Sequence, residues 1–139
     1  MKKRNLSAKK TIHNFYIEKL KNPKIKKIYL RFKSELSEVL NENHCLAISG
    51  GPDSMALAFL TKCLSIETKK KYIFCHVDHG LRKASNKEAK ETKKNLRKFD
   101  INLNVLKWTG SKKSSNIQEK ARFKRYELLF KKSKRYKIN

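Results

Sequence analysis

Ser49-Gly50-Gly51-Pro52-Asp53-Ser54 is the segment whose residue types and order could do chemistry. It lies between a short apolar run, Cys45-Leu46-Ala47-Ile48, and a stretch from Asp53 to Leu64 carrying Met55, Leu57, Ala58 and Leu60. The first reads as a buried strand and the second as a largely buried helix. Two glycines between them let the backbone turn sharply and approach a ligand closely. The N–H groups of such a turn and of the helix start converge on one spot, with the positive end of the helix dipole behind them. Ser49 and Ser54 add hydroxyls. That arrangement suits phosphate. Neither GxxxxGKS/T nor GxGxxG is present, which sets aside the Walker loop and the dinucleotide fingerprint. Asp53 would repel a phosphate unless a divalent cation bridged them, so it is the candidate Mg²⁺ ligand.

Two further segments carry reactive side chains. His76-Val77-Asp78-His79-Gly80-Leu81-Arg82 closes the apolar run Tyr72–Val77, a second buried strand. His76 and His79 are three apart, so on a strand they point to opposite faces and do not share a metal. The segment is expected at the carboxyl end of a sheet, where open α/β folds bind ligands. Arg122 and Arg125 fall on one face of a later helix. They serve either as guanidinium forks on phosphate or simply as a solvated surface.

The elements that must position these groups follow from the apolar pattern. Ser85-Asn86-Lys87-Glu88 reads as a capping box that starts a helix running to about Phe99. Ile101 to Trp108 is a third strand, with Trp108 packing at its end, and Asn116 with Glu119 opens a last helix bearing Ile117, Ala121, Leu128 and Leu129. Strand–helix alternation of this kind predicts an α/β fold with a parallel sheet. Before it, residues 1–43 form a basic helical lead-in, with a short helix around Phe15–Leu20. A second amphipathic helix follows Pro23, its stripe made of Ile25, Ile28, Phe32, Leu36 and Val39. Residues 44–139 then form the nucleotide-binding part.

Lys and Arg number 36 against 12 Asp and Glu, a formal charge of +24 in 139 residues. Repulsion of that size calls for an anionic partner, nucleic acid first, or else reflects lysine used freely on solvated surfaces. No apolar run approaches the roughly 20 residues of a membrane helix, and no apolar h-region follows the basic N-terminus. The three cysteines, Cys45, Cys63 and Cys75, are odd in number and widely spaced, so a disulfide framework is not expected, and Cys63 and Cys75 read as core residues. A reduced, cytoplasmic setting is the expectation.

Ser49-Gly50-Gly51-Pro52-Asp53-Ser54 resembles the pyrophosphate loop of the PP-loop (N-type) ATP pyrophosphatases. Within that family, the segments 76–82 and Asn116–Tyr126 resemble the tRNA(Ile)-lysidine synthases. The resemblance covers about residues 43–130. It implies a Rossmann-like parallel sheet with flanking helices, and ATP bound by Ser49, Gly50, Gly51, Pro52, Asp53, Ser54, Asp78 and His79. It also implies Mg²⁺ at Asp53, with Asp53, Arg122 and Arg125 in catalytic roles. The implied reaction is carried out by an ATP-dependent carbon–nitrogen ligase. The wobble cytidine of an isoleucine tRNA with a CAU anticodon is adenylated, and free L-lysine then displaces AMP to leave lysidine. Another PP-loop tRNA-modifying enzyme, such as a thiolase, or a non-catalytic nucleotide- or RNA-binding fragment, are the alternatives. The family pattern continues into a fourth strand and a His-x-x-Asp-Asp-Gln-like motif, which have no counterpart in these residues. The segment therefore looks truncated after its third strand and helix, and alone it is expected to be inactive.

Overall fold

The computed structural model describes residues 3–36, 38, 43–113 and 115–136. Helices α1 (Lys3–Leu20) and α2 (Pro23–Glu35) precede strand β1 (His44–Ala47). Helix α3 (Pro52–Thr68), strand β2 (Tyr72–Asp78), helix α4 (Ser85–Arg97), strand β3 (Leu103–Lys107) and helix α5 (Ile117–Arg135) then alternate. The strands form one parallel three-stranded sheet in the order β1-β2-β3. Leu46 stands opposite Phe74, and Phe74 opposite Leu103. Parallel neighbours need long crossovers, which α3 and α4 provide. The parallel α/β architecture expected from the strand–helix alternation, and Rossmann-like by the family resemblance, is the one observed.

Alternation along the strands sorts the two faces of the sheet. Leu46, Phe74 and Leu103 enter the main core with Ala58, Cys63 and Leu64 of α3 and Leu96 of α4. Cys45, one residue out of phase with Leu46, instead lines a groove with Phe123, Tyr126 and Phe130 of α5. Cys63 and Cys75 are buried, and burial pushes the Cys63 thiol up to about 12, well away from a reactive thiolate. All three cysteines are free. Trp108 packs at the end of β3 with 5% of its surface exposed, its ring edge-on to His79.

The lead-in helices dock through aromatic rings. Tyr16 is 1% exposed, packs on Phe59 of α3, and donates its hydroxyl to the Phe99 carbonyl at 2.7 Å. Burying such a ring contributes about 1.5–3 kcal/mol, and the hydroxyl bond keeps its polar tip satisfied. α1 is much longer than the Phe15–Leu20 piece expected, and α2 begins with Pro23 at its first turn behind an Asn22 cap. Of the expected α2 stripe, Ile28 is exposed, and Tyr29 takes the buried position instead. Its hydroxyl reaches Glu67, which also holds Lys33, so the polar tip that makes Tyr29 look like a surface residue has a partner on α3. Val39 lies outside the described residues.

The two expected caps differ in detail. Ser85 is the first residue inside α4, because Ala84 already adopts helical angles and the chain turns at Arg82–Ser85. The Ser85 side chain therefore caps nothing, and Glu88 pairs with Arg82 at 3.0 Å. Asn116 does occupy the cap position of α5, yet its amide goes to the Glu119 carboxylate and not to a backbone N–H.

Candidate functional site

The turn after β1 is built by one glycine more than the other. Gly50 has φ +95°, a left-handed value that favours glycine, whereas Gly51 at φ −74° is conformationally ordinary. Ser54 Oγ accepts from the Gly50 N–H at 3.0 Å and donates to the Gly51 carbonyl at 2.9 Å. Ser49 Oγ lies 3.1 Å from Ser54 Oγ and 3.4 Å from the Gly51 nitrogen. In this loop the glycine N–H groups are thus held by the serine hydroxyls, whereas the sequence suggested that they stand open. α3 then starts at Pro52 with Gly51 as its cap residue and no side-chain cap. A helix start of this kind, with its dipole and first N–H groups uncapped by a side chain, favours an anion.

Beside the turn lies a cavity of about 420 Å³ at the carboxyl ends of β1 and β2. Ala47, Ile48, Cys75 and Val77 give it an apolar floor, while Ser49, Arg82, Glu88 and Arg125 supply the polar edge. Asp78 and His79 also line it. Asp78 is 6% exposed, and its Oδ1 accepts from the Gly80 N–H at 2.9 Å, which fixes the bend after β2. Of the expected arginines, Arg125 reaches the cavity, and Arg122 sits exposed on α5 outside its lining. Of the loop residues expected to bind ATP, Ser49 lines the cavity, and Gly50, Gly51, Pro52, Asp53 and Ser54 lie outside its lining. His76 and Gln118 are lining residues that the sequence did not single out for this site.

Asp53 is a single exposed carboxylate on the first turn of α3. Among the described residues, no three His, Cys, Asp or Glu side chains gather into a metal cage. That donor set fits Mg²⁺ in its usual mode, with one or two carboxylates completed by substrate phosphates and water.

His79 and Arg125 join the end of β2 to α5. The guanidinium lies 3.3 and 3.4 Å from His79 Nε2. Arginine only donates, so Nε2 accepts and the neutral ring carries its proton on Nδ1, which is buried without a partner. Burial lowers the His79 pKa from its ordinary 6.5, and the neighbouring Arg125 charge lowers it further. The unfolded chain, with an unperturbed imidazole, takes up this proton first as pH falls. Stability should be unaffected above about 6.5, decline on acidification between the unfolded and folded values, and level off below them. Glu67 and Glu127 are held below the ordinary carboxylate value, Glu127 at about 2, each first by hydrogen bonds to lysine side chains. They leave this window clear. Melting temperatures from pH 7.5 to 5.5 should fall for the wild type and stay flatter for His79→Gln, whose carbonyl still accepts from Arg125. Equal slopes would break the argument.

An open parallel sheet, a left-handed glycine turn at the end of its first strand and an uncapped helix behind that turn define a PP-loop nucleotide-binding domain. The family model described as "PP-loop domain" matches residues 22–139, and the chain belongs to that family. Among named proteins it is similar to tRNA(Ile)-lysidine synthases. The Bradyrhizobium sp. (strain BTAi1) enzyme is 41% identical over 86 residues, 60% of this chain and 24% of that protein. The Rhodopseudomonas palustris enzyme is 41% identical over 91 residues, 64% of this chain and 26% of that protein. The Lactobacillus gasseri enzyme is 35% identical over 103 residues, 73% of this chain and 24% of that protein. The chain spans about a quarter of the length of these curated relatives. No helix among the described residues is long and apolar enough to cross a membrane.

Proposed function

We propose that this chain is the ATP-binding part of a tRNA(Ile)-lysidine synthase. The observation that carries the reading is the left-handed Gly50 turn and uncapped α3 start, set beside a cavity edged by Arg82 and Arg125. The turn formed by Ser49, Gly50, Gly51, Pro52, Asp53 and Ser54 would take the pyrophosphate end of ATP, the serine hydroxyls releasing the glycine N–H groups as they do so. Arg125 would face the charge that develops on the α-phosphate, held in place through His79, while Asp78 keeps the wall in shape. Asp53 would hold Mg²⁺, which neutralises phosphate charge when bound. Arg122, outside the cavity, is better placed for the tRNA backbone than for the reacting phosphate.

In the full reaction the C2 oxygen of the wobble cytidine in a CAU-anticodon isoleucine tRNA attacks the α-phosphate, and pyrophosphate leaves. The amine of free L-lysine then attacks C2 and AMP leaves. What the residues of this chain contribute is orientation and charge, the usual means of catalysis at phosphorus. Residues 1–43, with helices over Lys3–Leu20 and Pro23–Glu35, act as a basic lead-in to the nucleotide-binding part at 44–139, and a cytoplasmic setting, where tRNA and lysine meet, follows from the reaction.

Calorimetry with ATP, inorganic pyrophosphate and adenosine tests the site. ATP should bind, pyrophosphate should compete with it, and adenosine should bind far more weakly. Arg125→Ala should weaken ATP by about ten- to a hundredfold, as expected for the loss of charge-assisted hydrogen bonds. ATP held no better than adenosine would remove the phosphate reading.

A further inference from the structure

His76 lines the cavity between Cys75 and Val77 of β2. The backbone ladder between β1 and β2 ends at Ala47 opposite Cys75, and the next residue, Ile48, is 1% exposed. Both of its backbone groups are taken by consecutive residues of β2. Its N–H donates to the Cys75 carbonyl at 2.7 Å, and its carbonyl lies 2.8 Å from His76 Nδ1. A carbonyl can only accept, so Nδ1 carries the proton, and in the neutral ring Nε2 does not.

The position of Ile48 gives this bond its importance. The peptide joining Ile48 to Ser49 is a rigid plane, so fixing the direction of the Ile48 carbonyl also fixes the Ser49 N–H and the axis along which the loop departs. Ser49 and Ser54 then pass that orientation to the glycine N–H groups through their hydroxyls. We infer that His76 is a positioning residue for the phosphate loop, its Nδ1–H clamping the Ile48 carbonyl and so aiming the loop that follows. The inference rests on reading that loop as the pyrophosphate site.

Asparagine and glutamine separate aim from mere packing. The amide nitrogen of asparagine reaches the place of Nδ1, and that of glutamine reaches the place of Nε2. His76→Asn should bind ATP and inorganic pyrophosphate within about twofold of the wild type. His76→Gln should bind both about tenfold more weakly, the worth of one net hydrogen bond, with a melting temperature matching that of the asparagine variant. If the two variants bind alike, or weaken only in step with their melting temperatures, the residue is structural and the inference fails. Nitrogen NMR of the ligand-free protein should show His76 protonated at Nδ1, and a ring protonated at Nε2 alone would overturn the clamp whatever the ligand data. A wild type that binds neither ATP nor pyrophosphate would sink the phosphate-site reading, and the NMR tautomer would then still decide the clamp.

Discussion

Gly50→Ala should cost about 2–4 kcal/mol of stability and weaken ATP by more than about thirtyfold, while Gly51→Ala costs no more than about 1 kcal/mol. The difference lies in two observations. At φ +95° an L-residue is strained by about 1–2 kcal/mol before any contact is considered. A Cβ at Gly50 would also stand 2.6 Å from Thr92 Oγ1. Thr92 is 9% exposed on α4, its χ1 is stiff through β-branching, and its hydroxyl donates to the Glu88 carbonyl at 2.9 Å. Neither a rotamer change nor a shift of α4 is cheap, so the loop itself must deform, and its aim at the phosphates goes with it. At Gly51 the nearest side-chain atom to a new Cβ is Ser49 Oγ at 3.7 Å, an ordinary contact. Urea melts and ATP titrations of the two variants test this. Combining Gly50→Ala with Thr92→Ala should recover the steric part and leave the backbone part. A Gly50→Ala protein that melts and binds like the wild type would show the turn to be tolerant and the argument wrong.

That contrast also marks how far the sequence could be read. The order Ser-Gly-Gly-Pro-Asp-Ser after an apolar run announced a turn between a strand and a helix, because only a few backbone paths connect those elements. Which glycine is left-handed was hidden, as was Thr92, a residue 42 positions away on α4 that leaves no room for a side chain at Gly50. The same limit explains Tyr29. Ile25, Ile28 and Phe32 of α2 fit a helical stripe, yet Tyr29 is buried while Ile28 is exposed, and Glu67 on α3 satisfies the Tyr29 hydroxyl. Ser85 looked like a cap by type and spacing, but a cap is defined by backbone angles, and Ala84 is already helical there. Among the site residues, Asp78, His79 and Arg125 share one cavity wall, while Arg122 does not, although both arginines lie on one helical face by spacing. A separation of three places side chains about 60° apart around a helix, enough for one to enter a cavity and the other to face solvent. His76 stood in a segment the sequence had singled out, yet nothing in the spacing could reveal that its partner is a carbonyl on the neighbouring strand.

Binding of tRNA to this chain should weaken by about 10³-fold or more between 50 and 200 mM salt, the response of a protein that covers six or more phosphates. The charge of +24 supports such coverage only if the cations are not already neutralised, and here they are not. Pairs such as Lys21–Glu18, Arg31–Glu35, Lys62–Asp100 and Lys131–Glu127 draw on the few carboxylates. With 36 basic side chains against 12 acidic ones, most cations have no acid to meet. Exposed pairs of this kind contribute little to folding, about 0–1 kcal/mol each, so the surplus charge has no structural purpose large enough to account for it. It is also organised. α4 carries Lys87, Lys90, Lys93, Lys94 and Arg97, and α5 ends in Lys131, Lys132, Lys134 and Arg135, the same helix that brings Arg125 to the cavity. An RNA lying along α5 would therefore be led by its backbone toward the site proposed for ATP. Lys134→Glu and Arg135→Glu should each lower the slope of log affinity against log salt by about one or more and leave ATP binding unchanged. Fluorescence anisotropy with labelled tRNA over a salt series measures both quantities. An affinity that stays flat from low to physiological salt, or slopes unmoved by both reversals, would mean that the lysines of α5 only solvate the surface and that tRNA is held elsewhere.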